Sequence, residues 1–242
     1  MTLFLRNYKF SPRMCVVAYD RDLLLSLSER NYEVMYIQDN AITFYPDEIS
    51  ITVEADEMAN VRRLENRDIV EIFGNGLLYR SFANMETDSA LLLGASCNSN
   101  CVMCPASDNE RRKGFSYTLE QVRTFISYLP EDLEALVITG GEPTLYPDTF
   151  IAAMRSIKEK FTHTQVLLLS NGRALSNTRY LDTLCDNSPK NFTAAIPIHG
   201  DTPALHDSIT RAEGSFSETL LAISKILARR IPVELRKAQR RK

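Results

Sequence analysis

The chain has 242 residues, of which 44% are apolar and 24% are charged, a composition typical of soluble globular proteins. Its formal net charge of −3 argues against a general electrostatic attraction to nucleic acid or to anionic lipid, so we expect neither partner. The longest apolar stretches are too short to cross a membrane, and MTLFLRNYKF lacks the features of a secretory signal, which predicts a cytoplasmic protein.

Residues 1–88 are predicted to form a small, mostly β domain. The segments MCVVAY (14–19) and YEVMYI (32–37) have the apolar, β-branched and aromatic character of strands. Asn75-Gly76 lies between two apolar runs, and this pair favours a tight hairpin because both residues tolerate positive φ. The sequence of this region does not indicate a function.

From residue 89 onward, strand patterns alternate with helix patterns. Ser89–Leu93 is a predicted buried strand that leads into a cysteine-rich loop. Thr118 and Gln121 form a predicted capping box for the next helix, which Pro130 ends. The predicted later strands are 135–139, 165–169, 192–198 and a fifth that begins at Ile231.

This alternation predicts an α/β domain over 89–242, with parallel strands in a partial barrel or an open sheet. A long loop, HGDTPALHDSITRAEGSF, is expected after the fourth strand, and the basic ending KAQRRK is predicted to be a solvated tail. Because some 88 residues lie elsewhere, we exclude a closed eight-stranded barrel. About four to five βα units are present, so the barrel is expected to be incomplete and cut short at its fifth strand.

Three cysteines dominate the loop after the first strand of this domain. Cys97, Cys101 and Cys104 form C-x-x-x-C-x-x-C, which can bring three thiolates to one centre. A structural zinc site normally needs four ligands, and Cys185 and His163 are badly placed to be the fourth. A 4Fe-4S cluster held by three cysteines keeps one iron open for a small molecule. A turn that merely contains three small apolar residues is the alternative.

The loop after the second predicted strand reads GGEP. Gly140 and Gly141 allow close backbone approach, Glu142 offers a carboxylate to a ligand ammonium, and Pro143 fixes the turn. In parallel α/β folds, the loops at the carboxyl ends of neighbouring strands lie side by side. We therefore expect the cysteines and this motif to be neighbours.

CNSNCVMC (97–104) followed by GGEP (140–143) resembles the signature of the radical S-adenosylmethionine (radical SAM) superfamily. LLLGASCNSNCVMCPAS, VITGGEPTLYP, LLLSNGR and IPIHGDTPALHDSIT are similar to the radical SAM maturase of the His-Xaa-Ser peptide modification system. The resemblance implies a partial barrel and a 4Fe-4S cluster on Cys97, Cys101 and Cys104. It also implies S-adenosylmethionine at the open iron, cleaved to a 5′-deoxyadenosyl radical that abstracts hydrogen from a substrate.

Carried over by position, the resemblance assigns the remaining cofactor contacts. Gly140, Gly141 and Glu142 would hold the methionyl amine, with Pro143 beside them in the cofactor site. Met103 stands where an aromatic ring often lies near the adenine. Ser170 and Asn171, with His199 and Asp201, would line the ribose and carboxylate. Arg211 could pair with a carboxylate, although a surface position is the simpler interpretation.

The resemblance implies that a precursor peptide is the substrate and that a flavodoxin or ferredoxin is the electron donor, with the N-terminal region as a recognition element. One alternative is a radical SAM enzyme that acts on a small molecule or nucleotide precursor. Another is a truncated, non-catalytic metal-binding module. The family usually has six barrel strands and a C-terminal extension, so the chain is expected to be C-terminally shortened, which puts turnover in doubt.

Overall fold

The structure is a computed structural model that describes residues 1–237, apart from the side chain of Lys113. The described residues divide into two compact units, Met1–Glu86 with Ser127–Pro130, and Thr87–Ile126 with residues 131–237. The predicted basic tail lies outside the described residues from position 238 onward. None of the described helices has the length and apolar character needed to cross a bilayer.

The first unit is built on a seven-stranded sheet. Its strands are β1 (Thr2–Phe4), β2 (Arg13–Ala18), β3 (Val34–Gln38), β4 (Ala41–Tyr45), β5 (Ile49–Thr52), β6 (Ile69–Ile72) and β7 (Leu77–Phe82). Helix α1 (Arg21–Glu29) lies between β2 and β3 in the chain, and α2 (Ala55–Val61) lies between β5 and β6. Across the sheet the order is β1-β7-β6-β2-β3-β4-β5, and only β2 and β3 pair in parallel.

The local sequence explains the main features of this unit. The predicted hairpin at Asn75-Gly76 is confirmed, since it joins β6 to β7 and Gly76 has a φ of 84°. The strand pattern did not predict α1, which begins where the Asp20 carboxylate accepts a 2.7 Å hydrogen bond from the Leu23 amide. Its leucines at helical spacing pack in a small core with Val16 and Val34.

The second unit alternates strands with helices. Its strands are β8 (Asp88–Leu92), β9 (Ala135–Thr139), β10 (Gln165–Leu169), β11 (Phe192–Pro197) and β12 (Val233–Arg236). Its α-helices are α3 (Asp108–Lys113), α4 (Leu119–Tyr128), α5 (Pro147–Lys160), α6 (Thr178–Asn187), α7 (Pro203–Thr210) and α8 (Ser215–Ala228), except that the last two residues of α4 are counted in the first unit. Short 3-10 helices span Pro143–Leu145 and Arg173–Ser176.

The order of these five strands identifies a partial barrel. All neighbouring pairs are parallel, and the order β12-β11-β10-β9-β8 follows the chain without a reversal. A doubly wound open sheet reverses its strand order at a switch point, whereas a (β/α) barrel adds each strand beside the previous one. The predicted α/β partial barrel is therefore confirmed.

Packing and caps fix the helices around this sheet. The apolar face of α5 is fully buried through Phe150, Met154 and Ile157, as expected for a helix that covers a sheet. The capping box of α4 is confirmed, because the backbone amides of Thr118 and Gln121 are each hydrogen-bonded to the other's side chain at 2.9 and 3.2 Å.

Two helices of the second unit were not predicted. Helix α3 follows a capping box made by Ser107 and Glu110, and α7 lies inside the region expected to be a long loop after the fourth strand. Helix α7 begins after Thr202 with Pro203 in its first turn, which is a helix-start signal that the many loop-type residues around it obscured.

Candidate active site

The two sequence motifs meet at the carboxyl edge of the parallel sheet. The cysteine loop (residues 97–104) follows β8, and the glycine loop (residues 140–143) follows β9. The Gly141 amide donates a 2.9 Å hydrogen bond to the Gly94 carbonyl, and the Glu142 amide donates a 2.8 Å bond to the Ser96 carbonyl. The segment that leads into the cysteine loop is thus paired directly with the glycine loop.

Glycine is required at both positions of this contact. A Cβ on Gly140 would lie 2.4 Å from the Gly94 carbonyl oxygen, and one on Gly141 would lie 2.2 Å from the Ala95 carbonyl oxygen. Gly140 also has a φ of 150°. These glycines allow the glycine loop to pack closely against the backbone of residues 94–96, just before Cys97. The sequence did not indicate that this backbone would be their neighbour.

The carboxylate of Glu142 is buried and fully engaged with its own chain. Oε1 accepts hydrogen bonds from the Thr144 amide at 3.1 Å, the Thr144 hydroxyl at 2.5 Å and the Ser170 hydroxyl at 2.8 Å. Oε2 accepts a 2.7 Å bond from the Asn171 amide. Burial raises the pKa of this carboxyl, and these hydrogen bonds oppose the rise.

This arrangement differs from the role that the sequence suggests for Glu142. The residue is only 1% exposed, so its carboxylate joins two loops and does not face an open site. Pro143, which begins the 3-10 helix after it, is also buried. Contact between these two residues and a cofactor stays a prediction.

The cysteine loop is held from its other side by α7. The amides of Asn100 and Val102 donate to the carbonyls of Thr210 and Ile209 at 2.8 and 2.9 Å. These are carbonyls of the last helical turn, which have no partner within their own helix. The end of α7 therefore fixes the middle of the cysteine loop.

The three thiols of this loop are partly exposed and free. The Ser99 amide donates a 3.4 Å hydrogen bond to the Cys97 sulfur. Burial raises the pKa of Cys97 and of Cys101, and for Cys101 the neighbouring Cys104 adds to the rise.

Within residues 1–237, no three His, Cys, Asp or Glu side chains are arranged as they would be around a metal ion. The three thiols share one loop, but they do not yet converge on one point. Their donor chemistry fits iron, since thiolates are the usual ligands of iron–sulfur clusters. Binding a cluster would therefore require adjustment of the side chains of this loop.

A cavity of about 220 Å³ lies beside the cysteine loop. Three arginines and only one aspartate contribute charge to it, which favours an anionic group. The residues that line it are Cys97, Asn98, Ser99, Asn100, Asp108, Arg111, Arg112 and Arg211. The sequence favoured a plain surface position for Arg211. It did not single out Arg111 or Arg112, although the run ERRKG (110–114) shows basic residues soon after the cysteines.

The loop after β10 supplies two further predicted residues. We call residues 170–173 the asparagine loop. Ser170 is buried, and its hydroxyl accepts a 2.9 Å bond from the Gly172 amide as well as donating to Glu142. Asn171 contacts the cysteine loop through its side chain, whose Nδ2 donates a 2.6 Å hydrogen bond to Asn98 Oδ1. The structure therefore brings both residues to the predicted site.

The loop after β11 carries His199 and Asp201. The His199 amide donates a 3.2 Å bond to Nδ1 of the buried His206, and burial lowers the pKa of both imidazoles. Asp201 is exposed, and no described contact connects it to the cysteine loop. The proposed cofactor roles of His199 and Asp201 stay predictions.

The remaining cysteines and Met103 have distinct environments. Met103 is 42% exposed at the surface of the cysteine loop, so its side chain is available to a ligand. Cys15 is fully buried, and burial raises its pKa. Cys185 is only partly buried.

Comparison with known proteins decides the family. Residues 91–237, more than half of the chain, match the model of the radical SAM superfamily. The chain belongs to the radical SAM superfamily. This superfamily match includes the cysteine, glycine and asparagine loops and every strand of the parallel sheet except the first residues of β8.

Two curated relatives are similar to parts of this radical SAM chain. An AdoMet-dependent heme synthase of Methanosarcina barkeri is 25% identical over 144 residues, which are 59% of this chain and 40% of the relative. A 7-carboxy-7-deazaguanine synthase of Methanothermobacter thermautotrophicus is 33% identical over 124 residues, which are 49% of this chain and 46% of the relative. The chain spans less than half the length of either relative.

Solved structures also resemble this radical SAM chain. One of anSMEcpe with bound AdoMet shares 18% identity and covers 61% of this chain and 43% of its own, with a TM-score of 0.46. Another, of anSMEcpe with bound AdoMet and a Kp18Cys peptide, shares 15% identity and covers 61% and 42%, with a TM-score of 0.44.

Proposed function

We propose that this radical SAM chain binds a 4Fe-4S cluster through Cys97, Cys101 and Cys104 and uses S-adenosylmethionine to modify a ribosomally made peptide. The observation that carries this proposal is the pairing of the cysteine loop's leading segment with the glycine loop through Gly141 and Glu142. When bound, such a cluster supplies the electron that cleaves S-adenosylmethionine into methionine and a 5′-deoxyadenosyl radical.

The protein groups around this site have separate tasks. The glycine loop and the asparagine loop form one hydrogen-bonded wall, and Met103 offers a thioether for packing on a purine. The excess arginine charge of the cavity beside Cys97 suits a carboxylate. His199 and Asp201 are proposed to complete the cofactor site from the loop after β11.

The peptide assignment rests on the similarity of four sequence blocks to the His-Xaa-Ser maturase. In this proposal residues 1–88 form a domain that recognises the precursor, and a flavodoxin or ferredoxin supplies electrons in the cytoplasm. A small-molecule substrate is the second candidate, and the 33% identity to a 7-carboxy-7-deazaguanine synthase favours it.

Anaerobic reconstitution with iron and sulfide tests the shared chemistry. We expect about four irons per chain and release of 5′-deoxyadenosine when dithionite and S-adenosylmethionine are added. The Cys101→Ser variant is the matched control and should release none. Absence of 5′-deoxyadenosine from a fully loaded wild-type chain would contradict the proposal.

Isotope transfer separates the two substrate classes. Deuterated peptides with repeated His-Xaa-Ser units and deuterated candidate small molecules are supplied to the loaded chain in parallel. Deuterium in 5′-deoxyadenosine from the peptides alone supports the maturase, whereas deuterium from a small molecule alone rules it out in favour of the second candidate.

A further inference from the structure

The first half of the cysteine loop is held by an arginine from the asparagine loop. The Arg173 guanidinium donates through Nη1 to the Asn98 carbonyl and, at 3.3 Å, to the Ser99 hydroxyl. On its other side, Nε donates a 2.5 Å charge-assisted hydrogen bond to the Glu218 carboxylate of α8. One side chain thus joins the cysteine loop to a helix that lies more than a hundred residues later in the chain.

The base from which Arg173 extends is itself fixed. Asn171 Oδ1 accepts a 3.0 Å bond from the Arg173 amide, and the Asn171 carbonyl accepts a 3.0 Å bond from the Thr219 hydroxyl. The Asn171 amide is bound by the buried Glu142 carboxylate. The Arg173 side chain is 15% exposed and the Glu218 side chain 47%, so their ion pair is partly shielded from water.

The contact lies next to a sulfur. Arg173 binds the carbonyl of Asn98 and the hydroxyl of Ser99, and the amide of Ser99 donates to the Cys97 sulfur at 3.4 Å. Hydrogen bonds to the sulfurs are among the factors that set the reduction potential of an iron–sulfur centre. A group that fixes Asn98 and Ser99 therefore fixes the hydrogen-bond donor of Cys97.

We propose that Arg173 is a positioning residue that holds the Asn98–Ser99 segment, and through it the Ser99 amide, against Cys97. The proposal depends on the proposed function only for the identity of the group that Cys97 binds. Lysine cannot replace arginine here, because a single ammonium does not reproduce the planar fork that binds Glu218 and the loop at once.

The first test uses the iron-free chain, so it does not depend on cluster binding. Arg173→Ala and Arg173→Lys are compared with Arg179→Ala, since Arg179 is exposed on α6 and its described side chain forms no hydrogen bond or ion pair. Alkylation of each cysteine by iodoacetamide is followed by mass spectrometry, together with amide hydrogen exchange over residues 97–102. Glu218→Gln provides a second disruption that leaves Arg173 in place.

We expect the Ser99 amide to exchange up to about tenfold faster in Arg173→Ala, a factor that corresponds to about 1.4 kcal/mol of lost loop stabilisation. The alkylation rate of Cys97 should differ from that of the wild type, Arg173→Lys should restore little of the wild-type behaviour, and Glu218→Gln should be intermediate. Cys185 should react as in the wild type. Circular dichroism and thermal unfolding show whether Arg173→Ala is folded. If it is globally unfolded, the comparison of Arg173→Lys and Glu218→Gln with Arg179→Ala tests the proposal instead.

The second test uses the reconstituted chain. Redox titration followed by electron paramagnetic resonance should give a lower midpoint potential in Arg173→Lys than in Arg179→Ala, because the hydrogen bond to Cys97 is weakened. Unchanged cysteine reactivity, amide exchange and potential, relative to Arg179→Ala, would overturn the proposal. If the loop effects appear but no wild-type 5′-deoxyadenosine forms, the positioning role stands and the proposed function fails.

Discussion

The Asn171 amide donates a 2.7 Å hydrogen bond to Oε2 of Glu142. The bond joins the glycine loop after β9 to the asparagine loop after β10, and it is buried because Glu142 is only 1% exposed. A backbone N–H can only donate, so this contact requires an acceptor at the end of residue 142. The glutamate of the GGEP motif thus stabilises the wall of the candidate site whether or not it also binds a ligand.

Glu142→Gln should destabilise the second unit even though the shapes of the two side chains match. The Thr144 amide donates to one carboxylate oxygen of Glu142 and the Asn171 amide donates to the other. In the glutamine variant one of these two positions becomes an NH2 donor, so one of the two backbone amides loses its acceptor. An unsatisfied buried donor costs about 1–3 kcal/mol. Urea unfolding checks this loss, with Glu131→Gln on an exposed residue as the control, and equal stability of the two variants would contradict it.

The pH dependence of stability should include a contribution from Asp207. Its carboxylate accepts bonds from the Phe216 amide, the Ser215 hydroxyl and the Gly214 amide at 2.8, 2.8 and 2.7 Å. The bond from Phe216 is the largest cause of its lowered pKa, with the bonds from Ser215 and Gly214 adding to it. A lowered folded-state pKa gives stability that is present above the ordinary aspartate pKa of about 3.9 and is lost as the pH falls through the folded value.

Asp207→Asn tests this contribution through unfolding measured from pH 7 to pH 3. The wild type should be the more stable protein at neutral pH, and the difference should shrink on acidification. A difference that stays constant over the whole range would show that the carboxylate charge has no part in it.

Gly141→Ala should separate the two motif loops. The new methyl group would lie 2.2 Å from the Ala95 carbonyl oxygen and 2.4 Å from the Ser96 carbonyl oxygen, and backbone cannot move aside cheaply. We expect a loss of about 1–3 kcal/mol, as for other overpacked sites, together with reduced iron uptake. Gly74→Ala is the control because its methyl group would make only ordinary contacts, at 3.4 Å and beyond.

Each cysteine of the loop should be needed for the metal. Cys97→Ser, Cys101→Ser and Cys104→Ser should each lower the iron content of the reconstituted chain well below about four per chain, because serine is a poor replacement for a thiolate ligand. Cys185→Ser should retain the full content. Iron and sulfide assays with visible absorption measure the outcome, and full loading of any of the three loop variants would remove that cysteine from the proposed ligand set.

The amino-acid sequence alone determined the strands of the second unit and the order of its motifs. Strands β9 and β10 fall at the predicted residues, because short apolar runs bounded by polar residues are a local signal. Spacing within a single loop is also local, which is why three cysteines in eight residues followed by GGEP indicated the family. Helices α3 and α7 were missed although their caps are local signals too.

The tertiary structure decided what the local signals left open. Strand order, not any single strand, distinguished a partial barrel from an open sheet. Arg173 and Asn98 lie 75 positions apart in the chain, and Glu142 finds its acceptor role only where the asparagine loop meets it. Such contacts arise because parallel strands bring their carboxyl ends to one edge, so the neighbours of a loop residue are set by topology and not by its flanking sequence.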